Sequence, residues 1–123
     1  MGTFSVPVEV GARPQGPFVT VEAVVDTGAF YSWVPASTLR GLGAEPQAKR
    51  SFVLADGRTI ERDVAQIVVR VGGQESYTWC VFGDEGTEPL LGAYTLEGLA
   101  LTPDPVNRRL IPMPRLYMLA LNS

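Results

Sequence analysis

Apolar residues recur at every second position along most of the chain, the period of a strand with one buried face. Residues 3–10 place Phe4, Val6, Val8 and Val10 on one side. Pro7 lacks a backbone N–H and restricts that strand to an edge or terminal position. After a Gly- and Pro-rich loop, residues 18–25 predict a second strand and 31–34 a short third. Pro35 suits the first turn of a short helix, which Gly41 and Gly43 end. Residues 50–55 and 58–71 read as the two arms of a hairpin around Asp56-Gly57, a two-residue turn signal. In the long arm the apolar phase runs through Ile60 and Val64, then shifts to Ile67, Val69 and Val71. The shift predicts a bulge or bend near Ala65-Gln66. Gly72-Gly73 is a turn, 75–82 a strand and 83–89 an acidic loop. Leu90-Leu91-Gly92 leads into a second helix over 93–99. Residues 101–102 and 107–112 are the last strands. The tail, 113–123, is apolar without a clear period, and is expected to pack on the protomer or across a dimer.

Short strands at regular spacing with two small helices make the expected class all-β, a closed or sandwich-like domain. Length agrees: 123 residues is one domain, 1–123, with its core at about 18–112. With 46% hydrophobic and 19% charged residues, the chain can build a core without disulfides and is not expected to be disordered.

Charge and rare residues narrow the chemistry. The net charge is −3 and the basic residues are scattered, which argues against a nucleic-acid partner. There is no histidine and a single cysteine, Cys80. Ser-His-Asp triads, Cys-His dyads, His-ligated metals and cysteine zinc clusters are therefore excluded within one chain. Chemistry must come from carboxylates, hydroxyls, arginines, the single Lys49 or the backbone, with no cofactor expected. The start, MGTFSVPVEVG, has no signal-peptide pattern, and no apolar run reaches membrane-span length, so no membrane partner and a cytoplasmic location are expected.

One stretch carries chemistry: Ala23-Val24-Val25-Asp26-Thr27-Gly28-Ala29. An apolar strand delivers a carboxylate into a turn, followed by a hydroxyl, a glycine and a small residue. For Asp-Thr-Gly alone, an Asx-type turn is the simplest account. Context changes the odds, because a second apolar pair with glycine, Leu90-Leu91-Gly92, precedes a short helix, and a long hairpin lies between. Phosphotransferases with an aspartate nucleophile and actin-type ATPases also follow an apolar strand with Asp and Gly. They need a larger α/β scaffold and a phosphate-binding motif, and neither is present.

Together these segments resemble the single-domain, retropepsin-like (clan AA) aspartic proteases of the bacterial kind. The matching parts are Val25-Asp26-Thr27-Gly28-Ala29, the hairpin 52–60 in the flap position, and Leu90-Leu91-Gly92 before the helix. The resemblance implies a small closed β-barrel protomer working as a homodimer on an extended peptide or protein substrate. It implies catalytic roles for Asp26, Thr27 and Gly28. Ala29 would line the substrate cleft, and Ala55, Asp56 and Gly57 would form the tip of a mobile flap. Peptide hydrolysis by carboxylates needs one group to accept a proton from water and another to donate one. A chain with one such motif obtains two by two-fold pairing, Asp26 with Asp26 of a second copy. Retroviral members carry an Asp and an Arg where this chain has Phe30 and Ala93, so an apolar contact is expected in place of their ion pair.

The alternative from another class is a non-proteolytic dimeric peptide-binding module with the same fold. A third reading is a structural β domain in which Asp26 only caps its turn. Cys80 reads as a buried small hydrophobe, and Trp33 and Trp79 as core or interface aromatics rather than substrate platforms. Tyr31 and Tyr94 read as packing residues. Asp84, Glu85 and Glu88 read as a solvated loop, with a cleft rim for basic peptides as the alternative.

Overall fold

The computed structural model describes residues 3–113. The predicted packing of the apolar tail therefore falls, from residue 114 onward, outside the described residues. Strand β1 (Ser5–Gly11) follows the alternation: Val8 and Val10 are buried while Ser5, Pro7 and Glu9 are exposed. It pairs antiparallel along its length with β2 (Phe18–Val25). Pro7 sits opposite Glu22, on the half of β1 that no other strand joins, so its missing N–H leaves no gap in a ladder.

The remaining elements follow in order. β3 (Ser32–Pro35) leads through Pro35, the N-cap, into α1 (Ala36–Gly41). β4 (Ala48–Val53) and β5 (Thr59–Val71) form the hairpin, and β6 (Gln74–Gly83) returns beside β5. β7 is the pair Leu90–Leu91, followed by α2 (Ala93–Gly98). β8 (Leu101–Asp104) and β9 (Arg109–Pro112) make a separate two-stranded ribbon. The main sheet runs β1-β2-β7-β3-β6-β5-β4, and β1 also pairs with β5. Six strands thus close into a ring, with β4 attached outside it. This is the small β-barrel type expected from the sequence.

The core fills the ring. Val10, Ile67, Leu91 and Leu99 are almost wholly buried, and Leu39 from α1 and Leu96 from α2 plug its sides. Each such side chain contributes about 1.5–3 kcal/mol by leaving water.

Two local expectations are corrected. The ladder from β5 to β6 runs from Val64 opposite Val81 to Val71 opposite Gln74 with no inserted residue, so there is no bulge at Ala65-Gln66. The phase shifts because mid-strand is covered on both faces. Ala65, Ile67, Val69 and Val71 join the core, while Val64 and Val68, on the opposite face, are also fully buried. The hairpin tip has three residues, Ala55, Asp56 and Gly57, rather than two. Leu54 N–H donates to the Arg58 carbonyl (2.8 Å) and Gly57 N–H to the Leu54 carbonyl (2.9 Å). Gly57 closes the turn at φ +89°, a conformation that favours glycine.

Candidate active site

Asp26 is the residue at which β2 leaves the sheet. Its position is set by its neighbours' backbone. Val25 N–H donates to the Phe4 carbonyl (2.9 Å) and Asp26 N–H to the Leu91 carbonyl (3.0 Å). β7 lies parallel to the end of β2, Val25 opposite Leu91, so the Leu-Leu-Gly segment is the strut beneath the aspartate turn. The chain then turns: Ala29 N–H donates to the Asp26 carbonyl (3.1 Å), and Gly28 N–H donates to Asp26 Oδ1 (3.0 Å). A Cβ on Gly28 would lie 3.2 Å from that oxygen. One carboxylate oxygen is thus fixed by the turn.

The far side of the turn is held by α2. Ala93 N–H donates to the Ala29 carbonyl (2.8 Å) and Tyr94 N–H to the Phe30 carbonyl (3.0 Å). Gly92 allows this approach, because a Cβ there would lie 2.6 Å from the Tyr31 carbonyl oxygen and 2.8 Å from those of Ala29 and Phe30. Below runs a buried hydroxyl chain. Ser32 Oγ accepts Gly92 N–H (3.0 Å) and lies 2.6 Å from Thr95 Oγ1, which lies 2.7 Å from Thr78 Oγ1. All three side chains are buried. Sequence reasoning missed this chain. Its signal was three hydroxyls among apolar neighbours, and only the fold shows that they meet.

Asp26 opens into a cleft of about 560 Å³. Gly28, Ala29, Phe30, Tyr31, Trp33 and Leu90 line one wall, and Arg50 to Ala55 of the hairpin line the other. Of the residues singled out from the sequence, Asp26, Gly28, Ala29 and Ala55 meet in this cleft. Thr27 is exposed, is not part of the lining, and its hydroxyl makes no hydrogen bond among the described residues. Asp56 and Gly57 lie at the hairpin tip beyond the lining. Asp56 is held by its own neighbour: Arg58 N–H donates to Oδ1 (3.0 Å) and Arg58 Nε to Oδ2 (2.7 Å). These bonds hold the Asp56 carboxyl below its ordinary value.

The cleft is lined by aromatic side chains, Trp33 among them, which the sequence alone places in the core or an interface. Trp33 and Phe52 rings lie 5.2 Å apart, Tyr31 and Phe52 5.9 Å, and Phe30 and Tyr31 5.4 Å. Trp33, Val81 and Val64 lie side by side in register on this face. Arg50 and Phe52 share it because alternate positions of β4 point the same way. Phe30, in the place of the retroviral aspartate, packs its ring 5.5 Å from Tyr94, the neighbour of Ala93.

The acidic loop is not merely solvated. Arg62 grips Asp84 with Nε to Oδ1 (3.0 Å) and Nη2 to Oδ2 (2.9 Å). Glu85 accepts from Ser37 N–H (2.9 Å) and Oγ–H (2.6 Å) at the start of α1, and these bonds lower its pKa. Neither carboxylate lines the cleft. Cys80 is buried as expected, and burial pushes its thiol up to about 12, so it is inert as a nucleophile.

The sequence of residues 6–94 matches the family model for aspartyl protease. The chain belongs to the aspartyl protease family. Solved structures of similar fold include the simian foamy virus (mac) protease, with a TM-score of 0.56 and 17% identity over 76% of this chain and 91% of that one. A retropepsin-like aspartic protease from Rickettsia conorii gives 0.57 and 21% over 85% and 86%. The retroviral protease-like domain of Ddi1 from Leishmania major gives 0.57 and 17% over 94% and 99%. No curated protein sequence matches the chain. The fold of this aspartyl protease family member is that of the retropepsins. No helix among the described residues is long and apolar enough to cross a membrane.

Proposed function

We propose that the protein is an aspartic endopeptidase that acts as a homodimer, with Asp26 of each copy forming the catalytic pair. The observation that carries this reading is Asp26 itself: a carboxylate on a turn braced from both sides, in an aspartyl protease sequence, at the floor of a cleft roofed by a hairpin. Two such carboxylates facing each other cannot both ionise, so the pair holds one proton over a range of pH. The ionised member takes a proton from a water, which attacks the scissile carbonyl. The protonated member donates its proton to the carbonyl oxygen, giving a tetrahedral diol that collapses with protonation of the leaving amine.

The other site residues take supporting roles. Gly28 N–H holds one oxygen of Asp26 in place. Ala29 leaves room for the substrate backbone. The Thr27 hydroxyl, exposed in one copy, is free to bond the backbone of its partner's turn and lock the two together. Ala55, Asp56 and Gly57 form the tip of a flap that closes over an extended peptide and excludes water.

The test is cleavage of a diverse peptide pool, read by mass spectrometry from acidic to neutral pH, with wild type and Asp26→Asn side by side. Wild-type products that fall by at least about a hundredfold in the variant support the mechanism. Sedimentation should give twice the chain mass. A dimer that cuts nothing but retains peptides would replace the peptidase with the binding module. A monomer at every concentration would remove the catalytic pair.

A further inference from the structure

Apart from Asp26, Arg50 is the charged side chain that lines the cleft among the described residues. Six of the other basic side chains are engaged. Arg40 and Lys49 pair with Asp63, Arg58 with Asp56, Arg62 with Asp84, Arg70 with Glu75 and Arg109 with Asp104. Arg13 and Arg108 have no such pair among the described residues, but they do not line the cleft. Arg50 also lacks one. It is exposed, its guanidinium carbon lies 5.5 Å from the centre of the Trp79 ring, and one Nη donates to the Lys49 carbonyl (3.0 Å).

The strand register sharpens the point. Arg50 stands directly opposite Arg62, a pairing of like charges. Asp84 grips Arg62 through both guanidinium bonds and neutralises it. Arg50 has no equivalent, so the hairpin wall carries one uncompensated positive charge beside an aromatic surface. Trp79 in turn stacks 6.4 Å from Tyr31, which lines the cleft. A guanidinium laid over a ring is held in orientation while its N–H edge stays open.

We infer that Arg50 determines specificity: the cleft takes an extended peptide whose large apolar side chain lies on Tyr31, Trp33 and Phe52 and whose neighbouring Asp or Glu pairs with Arg50. This rests on the peptidase reading and adds the substrate class. A carboxylate there forms a charge-assisted, bidentate pair next to apolar surface, where screening by water is reduced. A basic side chain meets Arg50 unshielded. The acidic loop offers it no welcome, because Asp84 and Glu85 are already bound and lie outside the lining.

Two experiments on the same peptide pool test this. In the first, cut sites of wild type are compared with those of Arg50→Gln and Arg50→Glu. Wild-type sites should favour Asp or Glu at one fixed position by about tenfold over Gln or Asn. Arg50→Gln should flatten that preference, and Arg50→Glu should turn it toward Lys and Arg. In the second, the pool is captured on immobilised Asp26→Asn protein with and without Arg50→Glu, so that selection is read without turnover. Retention of acidic peptides by the former and basic ones by the latter is the expected result. An unchanged charge preference in either experiment overturns the assignment, while cleavage that survives in Asp26→Asn overturns the mechanism instead. Arg50 is exposed, and melting curves of the variants should overlay that of wild type.

Discussion

The two sides of the cleft are built in opposite ways. The aspartate turn is anchored by residues far along the chain: Asp26 by Leu91, Ala29 by Ala93, Phe30 by Tyr94. The hairpin tip is anchored by itself, with Leu54 bonded to Arg58, Gly57 to Leu54, and Asp56 to Arg58. The turn rests on a buried hydroxyl chain, whereas the tip is exposed, and the hairpin meets the opposite wall through the Phe52 ring. Long-range bonds to buried partners open only with much of the fold. Local bonds in water open at little cost. One wall is thus held from far along the chain and the other only by itself, which fits the roles proposed for them, the first as the holder of Asp26 and the second as a flap.

The comparison can be broken at its strongest point. Gly92→Ala drives a methyl group into three backbone carbonyls, and none of them is the end of a flexible side chain. It should cost about 3 kcal/mol in urea denaturation. A loss within error of zero would mean that α2 does not hold the turn. Thr95→Val keeps the shape but leaves the Ser32 and Thr78 hydroxyls without their shared partner. About 2 kcal/mol should be lost by the same measurement, with the core otherwise intact. If stability is unchanged, the hydroxyl chain is packing rather than support.

On the hairpin side the expected effect is the smallest. Asp56→Asn removes an exposed ion pair, and the melting temperature at pH 7 should not move. The pH dependence has a definite sign. The folded-state pKa of Asp56 lies below its ordinary 3.8, so the pair's contribution is complete above that value and fades as pH falls through the lower one. Between neutral and mildly acidic pH the tip keeps its charge, so any small difference between the thermal melts of wild type and variant should stay constant there and vanish only as pH falls below that range. A large difference between the two, or one that changes from pH 5 to 7, would show that the tip is coupled to the rest of the molecule.

Much of this was legible in the sequence because it is local. Alternation located the strands, and Gly and Pro located most turns. Asp-Thr-Gly-Ala with Leu-Leu-Gly located the aspartate turn and its strut. What could not be read depends on which strands become neighbours. Val64 and Val68 looked like a slipped phase because a single-face pattern cannot signal a strand covered on both sides. Trp33 looked like a core or interface residue because an apolar side chain in a strand carries no mark of whether a cleft or the interior lies above it. Arg50 looked like one scattered cation among ten basic residues. Its meaning comes from Arg62 across the ladder and from Asp84 having only one arginine to serve.

The closure of β1 onto β5 has a consequence for solubility. Ring closure gives both ends of the sheet a neighbour for part of their length, and the backbone left with a partner on one side only includes the outer half of β1 and β4. Pro7 interrupts the first, and Lys49 with Arg50 charges the second. These are the devices by which natural sheets discourage other chains from adding on. β4 is therefore both an open edge and a wall of the cleft, so Arg50, inferred to pair with a ligand, is also one of the charges that disfavour edge-to-edge pairing with a second copy. Selection for broader ligand range on β4 and selection against self-association pull on the same residues.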